Sequence, residues 1–247
     1  FLAMIGGKLC RVPIRVYAVW GLRYETSTGV ARFILKTAER LTMTSATHVC
    51  GVSDSVRKRA LAERLTKGTK IEVIGSGSSH GVEIARFKRN DKQVSERRAQ
   101  WWGAKERVPV LGYVGRFHPD KGIDLLISAV RILSSDIEEG VLLIVGMEDG
   151  IHISTAQSTL RGSKWRLEIT GHVDDPEEYY PLMDLLCLPT KREGLPNVVL
   201  EAAVAGVPTV ATAATGVSDA IIDGVTGLIC QERDPVLFAE YVRRLLK

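Results

Sequence analysis

The chain has 247 residues, 45% hydrophobic and 25% charged, proportions that exclude a disordered polymer and suffice for two compact domains. Its longest apolar runs, such as VLLIVG at 141–146, are strand-length and fall short of the roughly 18 residues of a membrane-spanning helix. The formal charge of +4 hides an asymmetry, since residues 1–107 carry 21 Lys and Arg against 9 Asp and Glu, and residues 108–247 carry 12 against 20.

In chain order, IRVYAV (14–19) predicts a strand. Residues 29–44 predict a helix, with Val30, Phe33, Ile34, Thr37 and Leu41 at helical spacing. THVCGVS (47–53) predicts a short buried strand, and Ser53 an N-cap for a helix starting near Asp54. KIEVIG (70–75) is a further strand. Strands this apolar, alternating with helices, predict a parallel sheet covered on both faces. GSGSSHGVEIARF (75–87) interrupts the alternation and runs into the charged stretch KRNDKQVSERR. Its composition predicts a domain linker. A phosphate-binding loop is the competing reading, weakened by the lack of a helix start directly after it.

From 108 a second α/β unit is predicted. VPVLGYVGR, VLLIVGM, RLEITG, DLLCLPT, VPTVAT and TGLIC read as six parallel-type strands. KGIDLLISAVRIL, PEEYYPLM, PNVVLEAAVAG, SDAIID and DPVLFAEYVRRLL read as the intervening and terminal helices. Pro176 and Pro196 open two of them and Gly206 closes one. The fold class is therefore α/β with doubly wound parallel sheets.

In such sheets ligands bind beyond the carboxyl ends of the strands. Three of those ends carry unusual residues: Gly115-Arg116 through Lys121-Gly122, Gly171-His172-Val173, and Lys191 to Gly194. Lys121 at a helix start opposes the helix dipole unless an anion sits in front of it. Arg116 offers a bidentate fork and Lys121 a mobile point charge, a pair suited to a diphosphate. The alternative is a surface loop with two charges. The helix after Pro196 exposes the N–H groups of Asn197, Val198 and Val199, a second anion seat. Glu193 before that helix and Glu201 inside it cannot serve a phosphate; they are acceptors for hydroxyl donors. A diphosphate clamp with two hydroxyl acceptors describes a nucleotide-sugar site. The bland alternative for the two acids is a first-turn helix acid and a surface Glu with its hydrogen bonds satisfied. No cluster of metal-ligand type is present in the sequence.

GRFHPDKG (115–122), the GHV loop, EGLPNVVLEA (193–202) with its E-x7-E spacing, and AGVPTVATAATGVSDAIIDGVTGL resemble, in this order, the donor-binding domain of the family 4 retaining glycosyltransferases. VYAVWGLRYET (16–26), GVSDSVR (51–57) and IGSGSSHGVEIARF (74–87) are similar to the branch that builds bacterial capsular and other surface polysaccharides. The resemblance implies a GT-B fold of two Rossmann-like domains: 1–88 as the incomplete acceptor-side domain, 89–107 as a linker region, and 108–247 as the donor domain. It implies Arg116 and Lys121 on the donor diphosphate, and Glu201 on the ribose. Glu193 would meet the donor sugar, with Glu193, Arg116 and Lys121 the catalytic set. Main-chain groups near His172 and Val173 would meet the nucleobase. Leu195, Asn197 and Val198 complete the donor-binding stretch. No cofactor or metal is required, because the two cations neutralise the leaving diphosphate of a UDP-sugar.

Two positions depart from the family pattern. Trp20 stands where many relatives carry a catalytic-site histidine, and His80 stands where relatives often carry Asn. The opening at FLAMIGGK and the close at Lys247 imply a piece of such an enzyme, binding donor weakly and turning over little. Competing readings are a non-catalytic nucleotide-sugar module and a sugar-nucleotide epimerase; the E-x7-E pair after the GRxxxxKG loop argues against the epimerase.

The expected acceptor is a lipid-linked saccharide. The basic first half suits an anionic phospholipid surface or a phosphate-bearing acceptor, with solvated surface charge as the competing reading. Nucleic acid is not expected, since no basic-plus-aromatic motif is present. Cys10, Cys50, Cys187 and Cys230 form no CxxC pair, which predicts buried, reduced thiols and a cytoplasmic setting; the basic first half extends this to a peripheral position at the inner face of the plasma membrane.

Overall fold

A computed structural model describes residues 1–78, 80–87, 90–103, 108–150 and 153–247. The chain forms two compact units: Phe1–Gly81 with Arg192–Asn197 and Ala214–Ala220, and Val82–Lys191 with Val198–Ala213 and Ile221–Lys247.

The first unit runs α1 (Leu2–Leu9), β1 (Val16–Val19), α2 (Gly29–Ser45), β2 (His48–Gly51), α3 (Asp54–Ala62) and β3 (Ile71–Val73). Its three strands pair in parallel in the order β1-β2-β3. Val19, Leu22, Met43, Val49, Val56, Leu65 and Ile71 form its core. Ser53 caps α3 as predicted, its hydroxyl accepting from the Val56 N–H at 3.4 Å.

The second unit runs α4 (Asp91–Trp102), β4 (Val110–Val114), α5 (Ile123–Leu133), β5 (Glu139–Val145), α6 (Ile153–Leu160), β6 (Lys164–Ile169), β7 (Leu185–Leu188), β8 (Thr209–Thr212), β9 (Gly227–Cys230) and α9 (Pro235–Leu246). Between these in the chain come α7 (Asn197–Val204), which starts where the two units meet in sequence, and α8 (Val217–Ala220), which groups with the first unit. The six strands form one parallel sheet in the order β6-β5-β4-β7-β8-β9. Four-residue strands such as LLCL, TVAT and GLIC are buried throughout, as expected where helices cover both faces. The fold class is the α/β, two-parallel-sheet GT-B type that the sequence implies.

Several elements differ from expectation. The run 89–107 contains the 12-residue helix α4, capped by Asn90, whose side chain accepts from the Gln93 N–H at 3.4 Å; residues 89 and 104–107 lie outside the described ones. This helix buries only Val94 and Trp102, so its sequence shows little apolar periodicity. The helices α1 and α6 are also absent from the sequence expectations. PEEYYPLM folds as two 3-10 turns, Pro176–Glu178 and Tyr180–Leu182, rather than one helix, because Pro181 cannot donate inside a helical ladder. In GSGSSHGVEIARF, Ser79 lies outside the described residues, and only Ile84–Phe87 forms a 3-10 turn. Of the four thiols expected to be buried, Cys187 and Cys230 are; Cys50 is half-buried and Cys10 exposed. Cys10 directly follows α1, a helix with no buried residue. Among the described residues no helix is long and apolar enough to cross a membrane.

Candidate functional site

The order of the six-stranded sheet fixes where a ligand would meet it. From β4 the chain proceeds to β5 and β6 on one side, then returns to β7, β8 and β9 on the other. The loops after β4 and β7 therefore leave neighbouring strands in opposite directions, opening a crevice at their carboxyl ends.

The loop after β4 is built stiffly. The Tyr113 hydroxyl donates to the Arg116 carbonyl at 2.7 Å. Pro119–Lys121 forms a 3-10 turn, with the Asp120 N–H donating to His118 Nδ1 at 3.2 Å. Lys121 thus closes this turn, and Gly122, with φ of 68°, leads into α5. The loop after β7 is joined to it: the Asp120 carbonyl accepts from the Lys191 N–H at 2.7 Å and from the Thr190 hydroxyl at 3.3 Å. Arg233 laces the same edge, donating to the Pro189 carbonyl at 2.5 Å and the Thr190 carbonyl at 2.9 Å. Burial lowers the Arg233 pKa below its ordinary value, and its carbonyl partners compensate part of that desolvation. Sequence reasoning passed over Arg233, which carries no motif beyond preceding the Asp234 cap of α9.

Of the predicted donor-binding residues in this unit, Arg116 extends a largely exposed side chain and forms an ion pair with Asp149. Lys121 is half-buried. His172 is exposed, 3.6 Å from Asp174 Oδ1, and Val173 is half-buried. Val198 and Glu201 lie on α7 and are half-buried. The Glu201 carboxylate accepts a hydrogen bond from the Tyr180 hydroxyl through Oε2. Tyr180 is fully buried; burial, then the negative charge of Glu201, pushes its hydroxyl well above the ordinary tyrosine value. Tyr180 is a second residue that the sequence did not single out.

Glu193, Leu195 and Asn197 fall in the segment that groups with the first unit. There the Ser53 hydroxyl donates to the Gly194 carbonyl at 2.7 Å. A Cβ on Gly194 would come 2.0 Å from the Trp20 carbonyl oxygen, so only glycine allows this approach. Leu195 packs on the core of that unit. The Asn197 amide nitrogen lies 3.2 and 2.7 Å from the two ring nitrogens of His80. Trp20 is 69% exposed. Glu193 is half-buried.

A groove of about 410 Å³ in the second unit lies between α4 and the turns at 176–182. Its polar walls are already ion-paired, Arg86 with Glu177 and Arg97 with Glu178, and none of the predicted donor residues lines it. Among the described residues no group of three or more His, Cys, Asp or Glu side chains is arranged to hold a metal ion.

Comparison with known proteins adds to this geometry. Residues 108–247 match the family model described as Glycosyl transferases group 1. The chain is 32% identical, over 246 residues, to the capsular polysaccharide biosynthesis glycosyltransferase CapM of Staphylococcus aureus, covering 99% of this chain and 64% of that protein. It is 31% identical over 177 residues to the D-inositol 3-phosphate glycosyltransferase of Geodermatophilus obscurus, covering 67% of this chain and 39% of that protein. The chain thus spans less than two thirds of the length of these curated relatives. Among solved structures, Anabaena HepE in complex with UDP and glucose superposes with a TM-score of 0.80 at 18% identity, covering 100% of this chain and 65% of that one.

Proposed function

The chain belongs to the group 1 glycosyltransferases, and from this premise we propose that it serves a retaining transferase of bacterial surface polysaccharide synthesis. The donor is a nucleotide-diphosphate sugar, UDP-linked, and the acceptor a lipid-linked saccharide. Similarity to CapM over 99% of the chain supports the polysaccharide setting. The UDP and UDP-glucose complexes of Anabaena HepE support the choice of nucleotide.

The observation that carries the reading is the crevice between β4 and β7, with Arg116 and Lys121 on the loop that leaves β4. In this reading the two cations hold the donor diphosphate and stabilise the charge that grows on it as the glycosidic bond breaks. Charge-assisted contacts of this kind contribute about 1.5–3 kcal/mol each. Glu201 accepts from the ribose hydroxyls, and main-chain groups near His172 and Val173 meet the base. Glu193 contacts the donor sugar, and Leu195, Asn197 and Val198 join the donor-binding stretch; these roles rest on the sequence resemblance. The acceptor hydroxyl attacks the anomeric carbon on the face the diphosphate leaves, and its proton passes to a departing phosphate oxygen. The residues supply electrostatics and position and need no cofactor of their own.

Isothermal titration of UDP into the wild-type chain and into Arg116→Ala tests the assignment. Binding by the wild type and loss in the variant is expected; absence of binding in both, or equal binding, overturns it. The basic first half predicts peripheral attachment to anionic membrane. Sedimentation with vesicles of rising phosphatidylglycerol content should retain increasing amounts of protein, and retention independent of that content removes the membrane assignment.

A further inference from the structure

We propose that Tyr180 is a positioning residue that fixes the Glu201 carboxylate for recognition of a ribose diol, an inference that rests on the donor-binding reading above. The tyrosine is fully buried and its hydroxyl donates a hydrogen bond to Glu201 Oε2. Its ring lies 5.7 Å from that of Phe87 in a tilted arrangement. The turn Tyr180–Leu182 that carries it is itself held: Arg98 donates to the Leu182 carbonyl at 3.1 and 2.8 Å through Nε and Nη2. Asp184, 3.0 Å from Arg98, accepts from the Val110 N–H at the start of β4 at 2.8 Å. The position of the hydroxyl is thus set by β4 and α4 rather than by the helix that bears Glu201.

A glutamate side chain has three rotatable bonds and samples several staggered wells when unrestrained. Donation to one carboxylate oxygen selects among them before a ligand arrives, which removes an ordering cost from binding. A carboxylate offers about four acceptor positions, so accepting from Tyr180 leaves capacity for vicinal hydroxyls. The hydroxyl also remains a donor at every working pH, because burial and the adjacent charge hold its proton on. A phenylalanine would fill the same space and make the same ring contact without donating.

Titration calorimetry with the 247-residue chain, using UDP and 2′-deoxy-UDP, tests the role. The wild type is expected to prefer UDP. Tyr180→Phe is expected to weaken UDP by about fivefold, the loss of one hydrogen bond, and to weaken 2′-deoxy-UDP less, so that the preference narrows. Glu201→Gln, which keeps the side-chain shape, is expected to narrow it in the same way. Unchanged UDP affinity in Tyr180→Phe overturns the proposal. Equal proportional losses for both nucleotides also overturn it, because a merely structural tyrosine would act on both alike. If the wild type binds neither nucleotide, or Arg116→Ala binds as the wild type does, the donor-binding reading itself fails and this inference falls with it.

Discussion

The backbone N–H of Lys191 donates to the carbonyl oxygen of Asp120 at 2.7 Å, tying the loop that leaves β7 to the loop that leaves β4. Two residues after Asp120, Gly122 sits in the left-handed region with φ of 68°, and a Cβ there would lie 2.0 Å from the Pro189 carbonyl oxygen. Both features forbid a side chain. Gly122→Ala is expected to destabilise the second unit by at least about 1–3 kcal/mol from backbone strain alone, with the clash adding to it. Urea unfolding followed by circular dichroism should show a lower midpoint and weaker UDP binding together. An unchanged midpoint would mean that the two loops are not packed as described.

Arg116 meets Asp149 at an exposed position, where an ion pair contributes at most about 1 kcal/mol. The residue should therefore matter to ligand far more than to stability. Arg116→Ala is expected to lower UDP affinity by about ten- to a hundredfold, the loss of a charge-assisted contact, with little change in melting temperature. Lys164→Ala removes another exposed cation, paired with Glu138, and serves as the control: UDP affinity should stay as in the wild type. A comparable loss in both variants would point to general charge attraction.

The strands of the larger sheet are legible in the sequence because each is a short apolar run bounded by turn residues; VLLIVG needs no tertiary information. The cation pair Arg116 and Lys121 is legible because a lysine near a helix start conflicts with the helix dipole. Tyr180 and Arg233 are not, since their significance lies in long-range partners: Glu201 is 21 residues from the tyrosine, and Pro189 is 44 from the arginine. The helix α4 was hidden for a different reason. A helix that buries two side chains presents almost no periodic signal, and a charged run of that kind resembles a linker until packing is known. The segment 192–197 shows a further limit, for its backbone meets Ser53 and Trp20 across more than a hundred residues of chain.

Glu39 gives a pH dependence with a definite sign. The Tyr17 hydroxyl donates to its Oε1 at 2.8 Å, yet burial dominates and raises the carboxyl above its ordinary value of 4.5. The folded chain then holds this proton more tightly than the unfolded chain does, so this group's contribution to stability falls as pH rises from about that value. Glutamine can accept from Tyr17 without ionising. Glu39→Gln is expected to gain stability relative to the wild type between pH 4 and pH 7, in denaturant titrations at each pH. Comparison with the wild type cancels carboxylates shifted the other way, such as Glu63 beside Lys36. A difference that stays constant or shrinks with pH would contradict the assignment.

The thiols report on the edge of the sheet where the site is proposed. Cys187 lies in the fully buried strand β7, two residues before Pro189, and burial pushes its thiol up to about 12. At pH 8 such a group is ionised in roughly one part in ten thousand, and the thiolate is the reactive form. Cys10 is exposed. In a chain carrying Cys50→Ser and Cys230→Ser, whose thiols are half-buried and buried, reaction with Ellman's reagent should therefore show a fast phase that Cys10→Ser removes, and a slow phase for Cys187 limited by opening of the strand. UDP should slow that phase further, because a ligand bound at the crevice beside β7 favours the closed state by mass action. Fast labelling of Cys187 would contradict its burial, and a slow phase indifferent to saturating UDP would place the nucleotide elsewhere on the chain.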